Sequence, residues 1–200
     1  MTTEYTIELI QPDEAGVAFF LTYYKAFRLE ALQNDPSCTH IFATVFGSTY
    51  AREAAMPDEF WRNRVLNPSA KTYVAVDLAD RSILSSVTMV RDVPVPPELR
   101  THLANGTAHD EGDMMHWAVN GVYTAPRARR RGIARELMTA AIKRTCDISS
   151  SEERPCLITV LVKNDNAGAK ALYEKLGFEV TECSEEEDTT RLVLWPADKK

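Results

Sequence analysis

The chain has 200 residues, the length of one domain or at most two small ones, and 44% of them are hydrophobic, 26% charged and 8% aromatic. That composition excludes a collagenous, largely disordered or polytopic membrane protein. With 23 Lys and Arg against 29 Asp and Glu the formal charge is −6, which argues against nucleic acid or a membrane as the partner of the whole surface and leaves room for a local basic site.

No internal repeat or low-complexity linker divides the sequence, so a single domain over residues 1–200 is expected. Tyr5, Ile7 and Leu9 alternate with polar neighbours and predict a first strand. Pro12 and Asp13 then open a helix to about Leu32 with the apolar stripe Val17, Phe20, Tyr24 and Phe27. Residues 34–50 show no clear period. A short helix follows from Pro57 to Leu66, ended by Asn67-Pro68, and this irregular region is candidate lid or acceptor-site material. Thr72 to Leu78 and Ser82 to Val90 read as an antiparallel pair turning at Ala79-Asp80-Arg81. Met114 to Thr124 predicts another strand, followed by an arginine-rich turn and a helix from Gly132 to Cys146 with a wide apolar face. Leu157 to Val162 is continuously apolar, as expected of a covered strand in a right-handed parallel crossover. Asn166 to Leu176 reads as a helix capped by Asp165 or Asn166 and stopped by Gly177. Phe178 to Thr181 and Leu192 to Trp195 complete the sheet, with the acidic run Glu185 to Asp188 as a solvated hairpin loop between them.

Cys38, Cys146, Cys156 and Cys183 are far apart and form no CxxC, so neither a zinc site nor a disulfide framework is expected, and no metal. The N-terminus lacks a basic opening and an apolar signal core, and no run approaches the roughly 20 apolar residues of a membrane span. A cytoplasmic protein is the expectation.

The segment Tyr123 to Ala134 is the most informative, because a strand ends, a basic turn follows and small residues open a helix. The first turn of a helix leaves its N–H groups without intrahelical partners at the positive end of the dipole, so a phosphate can accept several hydrogen bonds there. Gly132 lets a ligand approach the backbone closely. The spacing is neither GxxxxGK[ST] nor GxGxxG, which removes the common nucleotide loops. The plain alternative is that five arginines within residues 127–135 form a solvated face.

Arg129-x-x-Gly132-x-Ala134 matches the [QR]-x-x-G-x-[GA] signature of the GNAT superfamily of acyl-CoA-dependent N-acyltransferases, and the sequence resembles that family further. Val122-Tyr123-Thr124-x-Pro126 precedes the turn, and Asn166-x-x-Ala169-x-x-Leu172-Tyr173-Glu174-Lys175-x-Gly177-Phe178 looks like the family's second conserved block. The likeness runs from about Val119 to Val180, with a looser echo at Ser48 to Glu53 and Trp61-Arg62. It implies the α/β (α+β) GNAT fold: a mixed, mostly antiparallel sheet splayed between its central parallel strands and flanked by helices. It also implies acetyl-CoA as co-substrate, its arm along Val122, Tyr123 and Thr124 and its pyrophosphate on Arg129, Arg130, Arg131, Gly132, Ile133 and Ala134. Asn166 would contact the pantetheine arm.

Acyl transfer from a thioester to an amine needs a neutral nucleophile, stabilisation of the developing oxyanion and a proton for the departing thiolate. By resemblance, Tyr173 is the acid; by its helical spacing with Ala169, Leu172 and Leu176 it is equally a core aromatic. Many family members place a glutamate where this chain has Ala118. Strand alternation puts His116 on the same face, about 6.6 Å away at roughly 3.3 Å per residue, as candidate base. Asp113, Glu111 and a water relay are the alternatives. The expected reaction is acetyl transfer to a primary amine of a small molecule or peptide, with a cationic acceptor favoured by the negative charge and a homodimer left open. Two further readings stand beside it: a GNAT-fold protein that binds acyl-CoA without catalysis, and a nucleic-acid module using Arg127 to Arg135, which the acidic remainder disfavours.

Overall fold

The computed structural model describes residues 4–34, 48–96, 99 and 114–195. Most of the aperiodic stretch 34–50, together with Cys38, Glu111 and Asp113, lies outside the described residues. Contacts group the chain into two compact units, Met1–Thr88 with Asn120–Ala140, and Met89–Val119 with Ala141–Lys200.

The first unit begins with β1 (Tyr5–Leu9), which pairs antiparallel with β2 (Ala70–Asp77). Between them runs a helical stretch made of α1 (Glu14–Phe19), a π-turn (Phe20–Tyr24) and α2 (Lys25–Asn34), then α3 (Tyr50–Ala54) and α4 (Asp58–Leu66). Asp13 caps α1 by accepting the Gly16 N–H at 2.8 Å. The apolar stripe is buried as its spacing predicts: Val17, Phe20, Tyr24 and Phe27 pack with Trp61, Val74, Ala75, Val76, Ile83 and Leu84. Each large side chain so buried contributes roughly 1.5–3 kcal/mol. The sequence reading missed two features here, the single π-turn and the short α3.

β3 (Ile83–Arg91), β4 (Met115–Thr124) and the 19-residue α5 (Ile133–Ser151) contribute to both units. The second unit adds β5 (Cys156–Lys163), α6 (Ala167–Lys175), β6 (Glu179–Ser184) and β7 (Thr189–Leu194). The seven strands form one mixed sheet in the order β1-β2-β3-β4-β5-β7-β6. β4 and β5 are parallel, as the strand–helix–strand pattern predicts, and their ladder joins Met115 to Ala118 with Cys156 to Thr159. β4 runs on to Thr124 and β5 to Lys163. Glu185 to Asp188 form the exposed turn between β6 and β7.

Helix α5 extends five residues beyond the predicted end at Cys146. Asp147 to Ser151 look like loop composition, yet Ser149 is 1% exposed, its hydroxyl donating to the Thr145 carbonyl at 3.1 Å and accepting from Trp117 Nε1 at 3.2 Å. The polar residue is satisfied inside the fold, so it does not end the helix. Cys146, Cys156 and Cys183 form no disulfide among the described residues.

Candidate active site

The end of β4 is fixed by hydroxyls from β3. Ser85 Oγ donates to the Tyr123 carbonyl at 3.0 Å and meets Thr124 Oγ1 at 2.8 Å, while the Ala125 N–H bonds the Leu84 carbonyl. Tyr123 is 5% exposed, its ring edge-on to Phe27 at 5.3 Å, so this residue offers a ligand backbone rather than side chain. Pro126–Ala128 make a single 3₁₀ turn, after which Arg130 (φ +61°) and Gly132 (φ +81°) both take left-handed backbone. Residues of alternating handedness turn successive N–H groups toward one point and form an anion nest, and here the nest opens directly onto α5. A Cβ on Gly132 would meet Glu136 Oε1 at 3.9 Å and otherwise stand in open space, the space a phosphate needs.

The arginines divide by what they touch. Arg129 Nε donates to the Thr124 carbonyl at 3.0 Å and its guanidinium lies 5.7 Å from the Tyr123 ring centre, so this side chain seals the strand end. Arg127 donates to Ser82 Oγ at 2.8 Å. Arg130 and Arg131 are exposed beside Gly132, whereas Ile133 is buried in the core and contributes its helix-start amide; Ala134 is half-buried. Tyr5 donates to the Glu136 carboxylate, and its own pKa is pushed up to about 12 by burial and by Glu136, against the lowering effect of Arg131. The bond draws the carboxylate in the first turn of α5 toward β1. There it lines an open groove of about 600 Å³ with Glu4, Tyr5, Thr6, Ile7 and Leu78.

In the second unit Asn166 Oδ1 accepts the Ala169 N–H at 3.0 Å, so of the two candidate caps Asn166 starts α6. Tyr173 is 3% exposed, edge-on to Phe178 at 5.4 Å, and its carbonyl accepts the N–H groups of Leu176 and Phe178 as the helix ends.

His116 is 3% exposed, and both ring nitrogens are engaged. Nδ1 lies 2.9 Å from the Val93 carbonyl, which can only accept, so Nδ1 carries the proton. Nε2, 2.8 Å from Thr159 Oγ1, therefore accepts the threonine hydroxyl. Burial holds the imidazole pKa below its usual value, more than the Val93 and Pro94 carbonyls raise it, and Arg191 lowers it further. This tautomer is neutral, but its one lone pair is in use. The geometry gives His116 a structural role in the β4–β5 pair.

Three features escaped the sequence reading. Gly121 has φ +62° inside β4, with its carbonyl accepting from Ser86 Oγ at 3.1 Å; a glycine in a strand pattern is the signal that could have found it. Tyr24 reaches Gly121 from the π-turn. Arg28 and Glu53, 6% and 2% exposed, form a two-point ion pair at 3.1 and 3.2 Å that Arg64 joins at 3.3 Å, fixing α3 to α2. Burial alone would raise the Glu53 pKa, but Arg28, Arg64 and Ser48 hold it below the usual carboxylate range. Among the described residues no group of three or more His, Cys, Asp or Glu could hold a metal ion, and no helix is long and apolar enough to cross a membrane.

Residues 100–180 match the family model of the acetyltransferase (GNAT) domain. Over those residues the chain is similar to the GNAT acetyltransferase domain, and its seven-strand mixed sheet has the GNAT fold. Solved structures share its fold along nearly the whole length. NAA60 of Arabidopsis thaliana, crystallised with a bisubstrate analogue, aligns with TM-score 0.62 and 15% identity over 95% of this chain and 98% of that one. The same enzyme in complex with acetyl-CoA gives TM-score 0.60 and 16% identity over 96% and 99%. The ribosomal-protein-S5-alanine acetyltransferase of Vibrio fischeri gives 0.61 and 16% over 100% and 97%. Mutant forms of the spermidine/spermine N-acetyltransferase SpeG of Vibrio cholerae give 0.57 and 17% over 95% and 92%. Among curated proteins none matches this chain by sequence. The GNAT fold accounts for the strand–turn–helix of β4 and α5.

Proposed function

We propose that the chain is an acetyl-CoA-dependent N-acetyltransferase acting on a primary amine of a small molecule or peptide, residues 1–200 working as one domain in the cytoplasm. The observation that carries this reading is the nest at Arg130 and Gly132 at the start of α5, an anion site formed by backbone and open where a Cβ would stand. Relatives of the same fold, one crystallised with acetyl-CoA and others named for amine acceptors, support the donor and the acceptor class.

Bound acetyl-CoA supplies a thioester carbonyl for attack by the amine. In this reading the amides of residues 129–134 hold the pyrophosphate, Arg130 and Arg131 add charge, and the backbone of Val122, Tyr123 and Thr124 orients the arm. Asn166 joins them through the carboxamide nitrogen its capping bond leaves available. Tyr173 holds the proton for the departing sulfur. With Ala118 carrying no carboxylate and the His116 lone pair engaged, proton removal from the amine falls to water. Release of free thiol from acetyl-CoA, measured against spermidine, small primary amines and peptides with a free α-amine, tests the reading; acceleration by an amine with acetylated product supports it. The same two observations at positions 116 and 118 favour a second reading, an acyl-CoA binder without catalysis. Binding of acetyl-CoA without turnover on any acceptor would establish that one.

A further inference from the structure

The helical stretch of the first unit is broken once. The Lys25 N–H reaches the carbonyl of Phe20, five residues back, and the extra residue in that turn changes the phase of the side chains around it by roughly 100°. Tyr24 closes the turn. It is 2% exposed and stacked on Phe20 at 4.3 Å, which fixes its direction. The hydroxyl ends at Gly121 of β4: the Cβ that Gly121 lacks would lie 3.8 Å from Tyr24 Oη and 3.9 Å from Thr88 Oγ1. Thr88 is bonded in turn to Thr72 Oγ1 at 3.0 Å. Asn120, next to Gly121 in sequence, keeps its Oδ1 buried with no hydrogen-bond partner among the described residues. Against the core of Phe20, Phe27, Trp61 and Val74, the Tyr24 and Thr88 hydroxyls thus stand over Gly121 of β4.

A buried polar atom costs stability unless something bonds it, so Asn120 Oδ1, without a partner among the described residues, suits a ligand that supplies the missing bond. We propose that the Tyr24 hydroxyl is a hydrogen-bond donor to the transferring acyl group, stabilising the negative charge that gathers on its carbonyl oxygen; this rests on the N-acetyltransferase reading above. With the phosphates on the turn after Thr124 and the arm running back along Thr124, Tyr123 and Val122, the thioester end reaches β4 at Gly121. There the amine nitrogen forms its bond to the carbonyl carbon, the carbon–sulfur bond breaks, and the amine loses a proton to water. The sulfur gains one from Tyr173, which recovers it from solvent. A neutral phenol suits the oxyanion position because it donates, where a carboxylate would repel the developing charge. Asn120 Oδ1, which can only accept, suits an N–H of the incoming amine.

The test is Tyr24→Phe in the full chain, with Tyr23→Phe, a 39% exposed neighbour in the same turn, as control. Melting temperature and its rise on adding acetyl-CoA report fold and donor binding, and thiol release from acetyl-CoA reports turnover with amines and with water as acceptor. The expected result for Tyr24→Phe is a fall of roughly 10²-fold in kcat and kcat/KM together, with KM, melting temperature and acetyl-CoA stabilisation kept and Tyr23→Phe unchanged. An active wild type with an equally active Tyr24→Phe variant overturns the proposal and leaves the enzyme reading intact. A wild type that releases no thiol under any acceptor overturns both.

Discussion

Tyr173 and Tyr24 are both buried phenols, and the hydroxyl is what separates a catalytic tyrosine from a core aromatic. For Tyr173 the expected outcome of Tyr173→Phe is a loss of turnover of roughly 10²- to 10⁴-fold, the scale of one general acid, with acetyl-CoA binding and the Phe178 contact preserved; steady-state thiol release checks it. Wild-type turnover in that variant would return Tyr173 to packing alone. Glu53 is a stability residue. Glu53→Gln removes the carboxylate of the two-point pair with Arg28, 6% exposed, and the expected cost at pH 7 is on the order of 3 kcal/mol. Because the folded-state pKa of Glu53 is lowered, the ionised pair stabilises fully above the ordinary carboxylate range of about 4.3 and loses that contribution as pH falls through the lowered value. The gap in melting temperature between wild type and Glu53→Gln should therefore narrow from pH 7 to pH 3. A gap that stayed constant would show that the charge of Glu53 does not carry the effect.

At the scale of elements, the turn between β4 and α5 works through its backbone. Arg130 and Gly132 adopt left-handed φ, and the Arg129 side chain holds the strand end instead of reaching outward. Gly132→Val adds a β-branched side chain at φ +81°, both straining the turn and filling the space above the amides. The expected outcome is a folded variant that acetyl-CoA no longer stabilises, measured by thermal shift. Arg127→Ala removes only an exposed bond to Ser82 and should retain most of the shift. Equal behaviour of the two variants would mean that side-chain charge, not backbone geometry, binds the phosphates. The π-turn is the other element with a special task. An uninterrupted helix would keep the 3.6-residue period and carry Tyr24 away from Gly121.

For the whole molecule the expectation is stabilisation by its co-substrate through mass action. At a hundredfold excess over Kd, acetyl-CoA should contribute about 2.7 kcal/mol, or roughly 5–10 °C in melting temperature for a chain of this length, and no concentration-dependent rise would remove the donor site from the proposal. Most helices and strands, the basic turn and the block from Asn166 to Phe178 were legible in the sequence, because their signals are local, whereas the π-turn, α3 and the last five residues of α5 were not. Apolar spacing, Pro126, Gly132, the Asn166 cap and Gly177 each act within one or two turns of chain. What the side chains do depends on contacts made across the fold. His116 loses its free lone pair to Thr159, 43 residues away, and bonds Val93, 23 residues away; Arg28 finds Glu53 at a separation of 25. Ser149 keeps α5 helical because Trp117 lies beneath it. Tyr24 arrives at Gly121 through one residue of extra helix phase, which no fixed period can reveal. Local signals set backbone conformation over a few residues, whereas the protonation and availability of a side chain depend on neighbours that the fold brings from far along the chain.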